Sequence, residues 1–272
     1  MDRCKTRYPI LLVHGVGFRD WKRPLYWGRI PQNLQAQGAA LYYGLQDSWA
    51  TISTNARFLA ERIDQVLRET GAEKVNLIGH SKGGLEIRMA ASSLGMGDKI
   101  ASITTIATPH HGSRTIDRLL QAPKSLFHIA AFALNNWTRI TGDRNPDFLN
   151  VCNEFSTAHM RQFNSDNPDV ENVFYQNYAC VMNGSLSDIN LCIAHFVIRL
   201  IEGANDGLVT VDSASWGPRT FVLRGAGRRG ISHLDEIDFR RRPLCKKARP
   251  GFVSEITDVY VSIAEDLKRR GF

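Results

Sequence analysis

Apolar and polar positions along the chain fall into two alternating rhythms. Tyr8 to Val13, Lys74 to Ile78 and Ile100 to Ala107 are short, mostly apolar runs that read as strands buried on both faces, and Ala39 to Tyr43 is a weaker one. Between them, Ala56, Leu59, Ala60, Ile63, Val66 and Leu67 recur at the spacing of one helical face. Thr54 or Asn55 is available as its N-cap, and Gly71 stands just past its end. Leu85 to Leu94 is again compatible with a helix. Strand alternating with helix implies a mostly parallel central sheet with helices on both faces, an α/β fold.

The rhythm changes after Pro109. Ile116 to Ile140 carries apolar residues on more than one helical face, and Leu119, Leu120, Leu126, Phe127, Ile129, Phe132, Leu134 and Trp137 exceed the needs of a single core-facing stripe. The stretch is expected either to cap and line a pocket or to add a packed helical layer. Strand signals resume at Val173 to Val181 and Thr220 to Arg224, and a last helix has the stripe Val253, Ile256, Val259, Ile263 and Leu267. The reading is one α/β domain over residues 1–272 with a helical cap inserted at about 114–170.

Composition narrows the classes. At 43% hydrophobic and 22% charged, the 272 residues suit a globular chain and exclude collagen-like and disordered classes. No apolar run approaches the ~18 residues of a membrane span. Five cysteines, Cys4, Cys152, Cys180, Cys192 and Cys245, form no CxxC pair, so neither a disulfide framework nor a zinc knot is expected. Ile10 to Val13 is too short for a signal-peptide core, so the chain as given reads as cytoplasmic, or as secreted if a leader has been removed. The formal charge of +7 is local: residues 219–249 hold ten basic and three acidic side chains, and the rest of the chain balances. Such a segment reads as a solvated face or as attraction to an anionic surface. Nucleic acid fits poorly, because few aromatics are interleaved to stack bases.

The chemistry centres on Gly79-His-Ser81-Lys-Gly83, placed where a strand ends and a helix begins. A tight turn there would project the Ser81 hydroxyl, with glycines where a Cβ would collide. A serine hydroxyl needs a base to take its proton, and that base needs an acid to orient it. Asp206, in Asn205-Asp-Gly-Leu-Val209, and His233, in His233-Leu-Asp-Glu236, follow in a suitable order and lie in loop-like sequence, although spacing alone does not select them from eight histidines.

Taken with His14-Gly15 after the first strand and Thr108-Pro-His-His-Gly-Ser113, these motifs resemble the bacterial triacylglycerol lipases of the true-lipase family, within the α/β-hydrolases. The resemblance implies a serine carboxylester hydrolase, a lipase or lipase-like esterase, with Ser81 as nucleophile, Asp206 as acid and His233 as base. The backbone N–H groups of Val16 and Lys82 would form the oxyanion hole. The substrate would be a small-molecule or lipid ester, met in solution or at a lipid–water interface. The chemistry would need no cofactor, but a structural calcium ion beside the base would engage Asp235 and Asp188. Other acyl chemistry on the same three residues (polyester depolymerisation, phospholipid deacylation or acyl transfer) stays open, as does a non-catalytic binding protein on the same scaffold.

Overall fold

In a computed structural model, residues 2–20, 25–121, 134–140 and 142–272 are described. Six strands, β1 (Ile10–Val13), β2 (Leu41–Tyr43), β3 (Val75–His80), β4 (Ile100–Ile106), β5 (Phe174–Val181) and β6 (Thr220–Arg224), hydrogen-bond in the order β2-β1-β3-β4-β5-β6. Every neighbouring pair is parallel. Strands β1, β3 and β4 are buried along their whole length because helices cover both faces. Ile10, Leu12, Ile78 and Ile106 pack with α1 (Ile30–Ala36) and the C-terminal helix Ile256–Arg269. Leu11, Val13, Leu77 and Ile103 face the other way, onto α2 (Ile52–Thr70) and α3 (Lys82–Ala91). This alternation is the two-residue period of a strand sorting its side chains between two cores.

The α2 helix ends at Gly71, in the left-handed conformation, as the pattern predicts, but it starts earlier than expected. Thr51 is its N-cap, accepting from Thr54 N, because Ile52 reaches a core cluster with Leu85, Met160 and Phe163. Asn55, one of the predicted caps, is instead spent inside, donating to Asp47 O and Glu86 Oε1 at 2.7 Å each. A run of four residues able to cap, Thr51, Ser53, Thr54 and Asn55, leaves the choice to tertiary packing.

The stretch between β4 and β5 divides into parts. Helices Phe148–Glu154 and Thr157–Asp166 belong to the packed layer, with Met160 and Phe163 buried against α2 and α3. Asp143 accepts from Ser48 N and Trp49 N at 2.9 Å each and from Arg19 Nη1 at 2.5 Å, fastening the returning chain to the loop after β2. Trp137 and Ile140 are exposed on a helical segment, 134–140. Leu126, Phe127, Ile129 and Phe132 of the expected cap lie outside the described residues.

Glu154 closes the layer by accepting from Ile52 N through both carboxylate oxygens, at 3.0 and 2.9 Å. Burial pushes its carboxyl up from 4.5 to about 7. The folded protein therefore keeps a proton that the unfolded chain releases, and stability falls as pH rises through that window. Glu154→Gln is expected to flatten the slope. In urea unfolding the variant should exceed the parent by about 1–3 kcal/mol at pH 8 and match it near pH 4.5, whereas equal slopes would place the titration elsewhere.

Candidate active site

Ser81 stands between the end of β3 and the start of α3 with φ 54° and ψ −129°, a strained conformation for a residue with a Cβ. The turn holds because its surroundings dictate it. Ser81 N donates to Ile106 O at 2.9 Å, and Thr108 Oγ1 donates to Ser81 O at 2.8 Å. A Cβ on Gly83 would stand 2.4 Å from Val13 O and 2.5 Å from His14 O, and one on Gly84 2.1 Å from Thr108 Oγ1. The first turn of α3 is thus pressed against the backbone that leaves β1, and Gly15 lies where a Cβ would come 2.7 Å from Ser81 Cβ. Lys82 opens the helix, so its N–H has no carbonyl within the helix to bond. Its side chain is wholly buried, with Nζ 2.6 Å from both Ala50 O and Glu86 Oε1. Val16 is half-buried in the loop after β1.

Asp206 and His233 come from two loops tied to the end of β5. Met182 N donates to Asn205 O at 2.9 Å, and Ile231 N to Val181 O at 2.8 Å. A further bond, His233 N to Asp206 O at 2.9 Å, joins the loops directly. The carboxylate of Asp206 is divided: Oδ1 accepts from Leu208 N and Val209 N at 2.8 Å each, while Oδ2 is 2.9 Å from His233 Nδ1. That contact assigns the proton to Nδ1 and leaves Nε2 as the acceptor. The His233 ring lies 4.4 Å from that of His80, the neighbour of Ser81. Among the described residues no hydrogen bond joins Ser81 to His233. All three side chains are nearly buried, at the carboxyl ends of parallel strands where open α/β sheets place their ligands.

Beneath them runs a chain of hydrogen bonds that the sequence did not reveal. Gly15 N donates to Tyr26 Oη at 2.8 Å, Tyr26 Oη is 2.7 Å from His80 Nδ1, and His80 Nε2 is 2.8 Å from Glu236 Oε2. Glu236 Oε2 is in turn 3.5 Å from His233 Nδ1. Burial holds the His80 imidazole well below its usual range. Burial, with the charge of Asp206 beside it, pushes the Glu236 carboxyl well above its own. The pair is therefore a neutral hydrogen bond. With Tyr26 donating to Nδ1, His80 carries its proton on Nε2 and gives it to Glu236, so Tyr26 and His80 each accept one hydrogen bond and donate one. Glu236 is visible in the His-Leu-Asp-Glu motif, but Tyr26 stands in no pattern.

Among the described residues, His14, His110, His111 and His195 take structural partners. His14 is buried between Gly15 O and Gln46 O, His110 bonds Thr105 and Arg88, and His111 reaches Ser215 O. His195 meets Ser185, His159 is exposed, and His128 lies outside the described residues. Asp188 and Asp235 are buried on either side of Ser232, each accepting from it.

Comparison with known proteins agrees with this architecture. The α/β-hydrolase fold profile matches residues 8–170. A triacylglycerol lipase of Pseudomonas fragi is 30% identical, with 99% of each chain covered. Triacylglycerol lipase 2 of Saccharomyces cerevisiae is 27% identical over 91% of this chain and 74% of its own. Among solved structures, a metagenomic carboxyl esterase superposes with a TM-score of 0.73 at 15% identity, covering 97% of this chain and 76% of its own.

Tyr26→Phe would leave the buried Gly15 N–H and His80 Nδ1 without their shared partner. It is expected to destabilise the protein by about 1–3 kcal/mol in urea unfolding. An unchanged midpoint would show that neither group depends on the phenol.

Proposed function

The chain belongs to the α/β-hydrolase family, as one of its lipases and esterases, and from that premise we propose that it cleaves acyl esters through an acyl-enzyme formed on Ser81. The observation that carries this reading is the 2.9 Å contact of His233 Nδ1 with Asp206 Oδ2, beside a serine in a left-handed turn. His233 Nε2 takes the Ser81 proton as the hydroxyl attacks the ester carbonyl carbon, while Asp206 orients the ring and stabilises the imidazolium. The tetrahedral oxyanion is met by the backbone N–H groups of Val16 and Lys82, a contribution of roughly 3 kcal/mol per donor in comparable sites. Collapse expels the alcohol, which takes its proton from His233. Water, activated by the same imidazole, then releases the acid.

The nucleophile, base and oxyanion donors all come from the chain, and the chemistry calls for no cofactor. The buried Lys82 ammonium, bonded to Ala50 O and Glu86, fixes the helix turn whose N–H is assigned to the oxyanion. Lipid esters are the substrates that the names of its relatives suggest. The exposed apolar residues Leu119, Trp137 and Ile140 support a cap that guides acyl chains inward. Among the described residues no helix is long and apolar enough to cross a membrane.

A panel of p-nitrophenyl esters from acetate to palmitate, with emulsified triglyceride, tests the reading. Ser81→Ala should lower kcat by at least ~10³-fold on every substrate the parent cleaves. A fluorophosphonate should label the parent on the Ser81 peptide alone. Retained turnover in the variant, or labelling at another residue, would overturn the assignment.

A further inference from the structure

The resemblance to the bacterial lipases implies a calcium ion beside the base, held by Asp188 and Asp235. A hard cation of this kind needs 6–8 oxygen ligands turned toward it. The local donor set does not fit. Asp188 Oδ2 accepts from Ser232 Oγ at 2.7 Å, and its Oδ1 from Asn190 N and Nδ2 at 3.2 and 3.3 Å. Asp235 Oδ2 accepts from Ser232 N at 3.1 Å, and its Oδ1 is gripped by Arg240 through Nε at 2.8 Å and through Nη2. The carbonyl of Ser187, next to Asp188, is taken by Arg229 through Nε at 2.5 Å and through Nη2. Each carboxylate oxygen and this carbonyl already faces an N–H or O–H. A divalent ion placed here would meet the positive ends of those bonds.

Charge tells the same story. Two nearly buried carboxylates share the cluster with two half-buried guanidiniums, Arg240 paired with Asp235 and Arg229 on the Ser187 carbonyl, so the four formal charges cancel without an added ion. Guanidinium suits the task because its planar fork binds two ways at once and is always charged. Ser232, at the centre of the cluster, immediately precedes His233. Arg229 and Arg240 are two of the ten basic residues in 219–249, so that run is not solely a solvated face.

We infer that Arg240, paired with Asp235, and Arg229, held on the carbonyl beside Asp188, take the place of a structural calcium ion and fix the His233 loop with cations that are part of the chain. The inference holds whichever ester is cleaved, and its test reads stability rather than turnover. Purified full-length protein is melted in EDTA and in millimolar CaCl₂, and the EDTA-treated protein is titrated with CaCl₂ by calorimetry. The expected result is the same Tm in both buffers and no binding heat below the millimolar range. A Tm that falls in EDTA and returns with calcium, or a micromolar Kd, would overturn the inference.

Arg240→Ala should lower Tm by roughly 5–10 °C, since it leaves Asp235 buried without its ion partner, and adding Asp235→Asn should recover part of that loss. An unchanged Tm in Arg240→Ala would also overturn the proposal. Should that variant fail to fold, the melts and titration of the parent decide the question.

Discussion

The first turn of α3 can approach the end of β1 only where there is no side chain. At Gly83 a Cβ would stand 2.4 Å from Val13 O, so helix and strand backbones are in direct contact. That contact sets the position of everything the proposed chemistry uses on this side of the sheet. It fixes the strained Ser81 turn, aims the first N–H of the helix at the space above the sheet, and brings the loop after β1 alongside. The strain at Ser81 is offset locally by bonds from its own N–H and to its own carbonyl, both made with the segment that leaves β4. Two neighbouring strands therefore hold the turn from opposite sides.

The second half of the site depends on β5. The loops bearing Asp206 and His233 are separated in sequence by the edge strand, yet both are bonded to the last residues of β5 and then to each other. The hydrogen-bond chain through Glu236, His80, Tyr26 and Gly15 ties this half to the first. It is built from neutral partners, so it positions groups without adding charge to a site proposed to accommodate a developing oxyanion. The arginine cluster lies on the outer side of the His233 loop, where charge is matched rather than avoided.

Most of the sheet was legible in the sequence because strands buried on both faces must be apolar at nearly every position. The bounds of β6, an edge strand with no buried residue, and the end of α2 at Gly71 also match the sequence pattern. The start of α2 did not, since several polar residues could cap it and Ile52 chose among them by packing. Ser81 was legible because strand, turn and glycine spacing coincide at one place. Asp206 and His233 needed the resemblance, because a loop carboxylate and a loop imidazole have no local signature. Tyr26 was hidden for a related reason: its partners are 11 and 54 residues away, in contacts that no periodicity encodes. Asp188 and Asp235 were picked out by type, but what faces them is decided by Arg229 and Arg240, which the sequence showed only as part of a basic run.

The proposed base sits beside two carboxyl groups, and the surroundings allow only one of them to be charged. Asp206 has two backbone N–H groups and the imidazole to bind its charge. Glu236 is fully buried with that charge as a neighbour, and its carboxyl is driven well above the ordinary range. The difference matters for a base that must both take and return a proton. One carboxylate favours the imidazolium enough to draw the proton from a serine hydroxyl. A second would stabilise the imidazolium further and oppose delivery of that proton to the leaving alcohol. Neutral Glu236 instead offers a carbonyl oxygen to His80 and adds little field at His233. In the proposed mechanism the buried environment therefore leaves one carboxylate, not two, beside the imidazole.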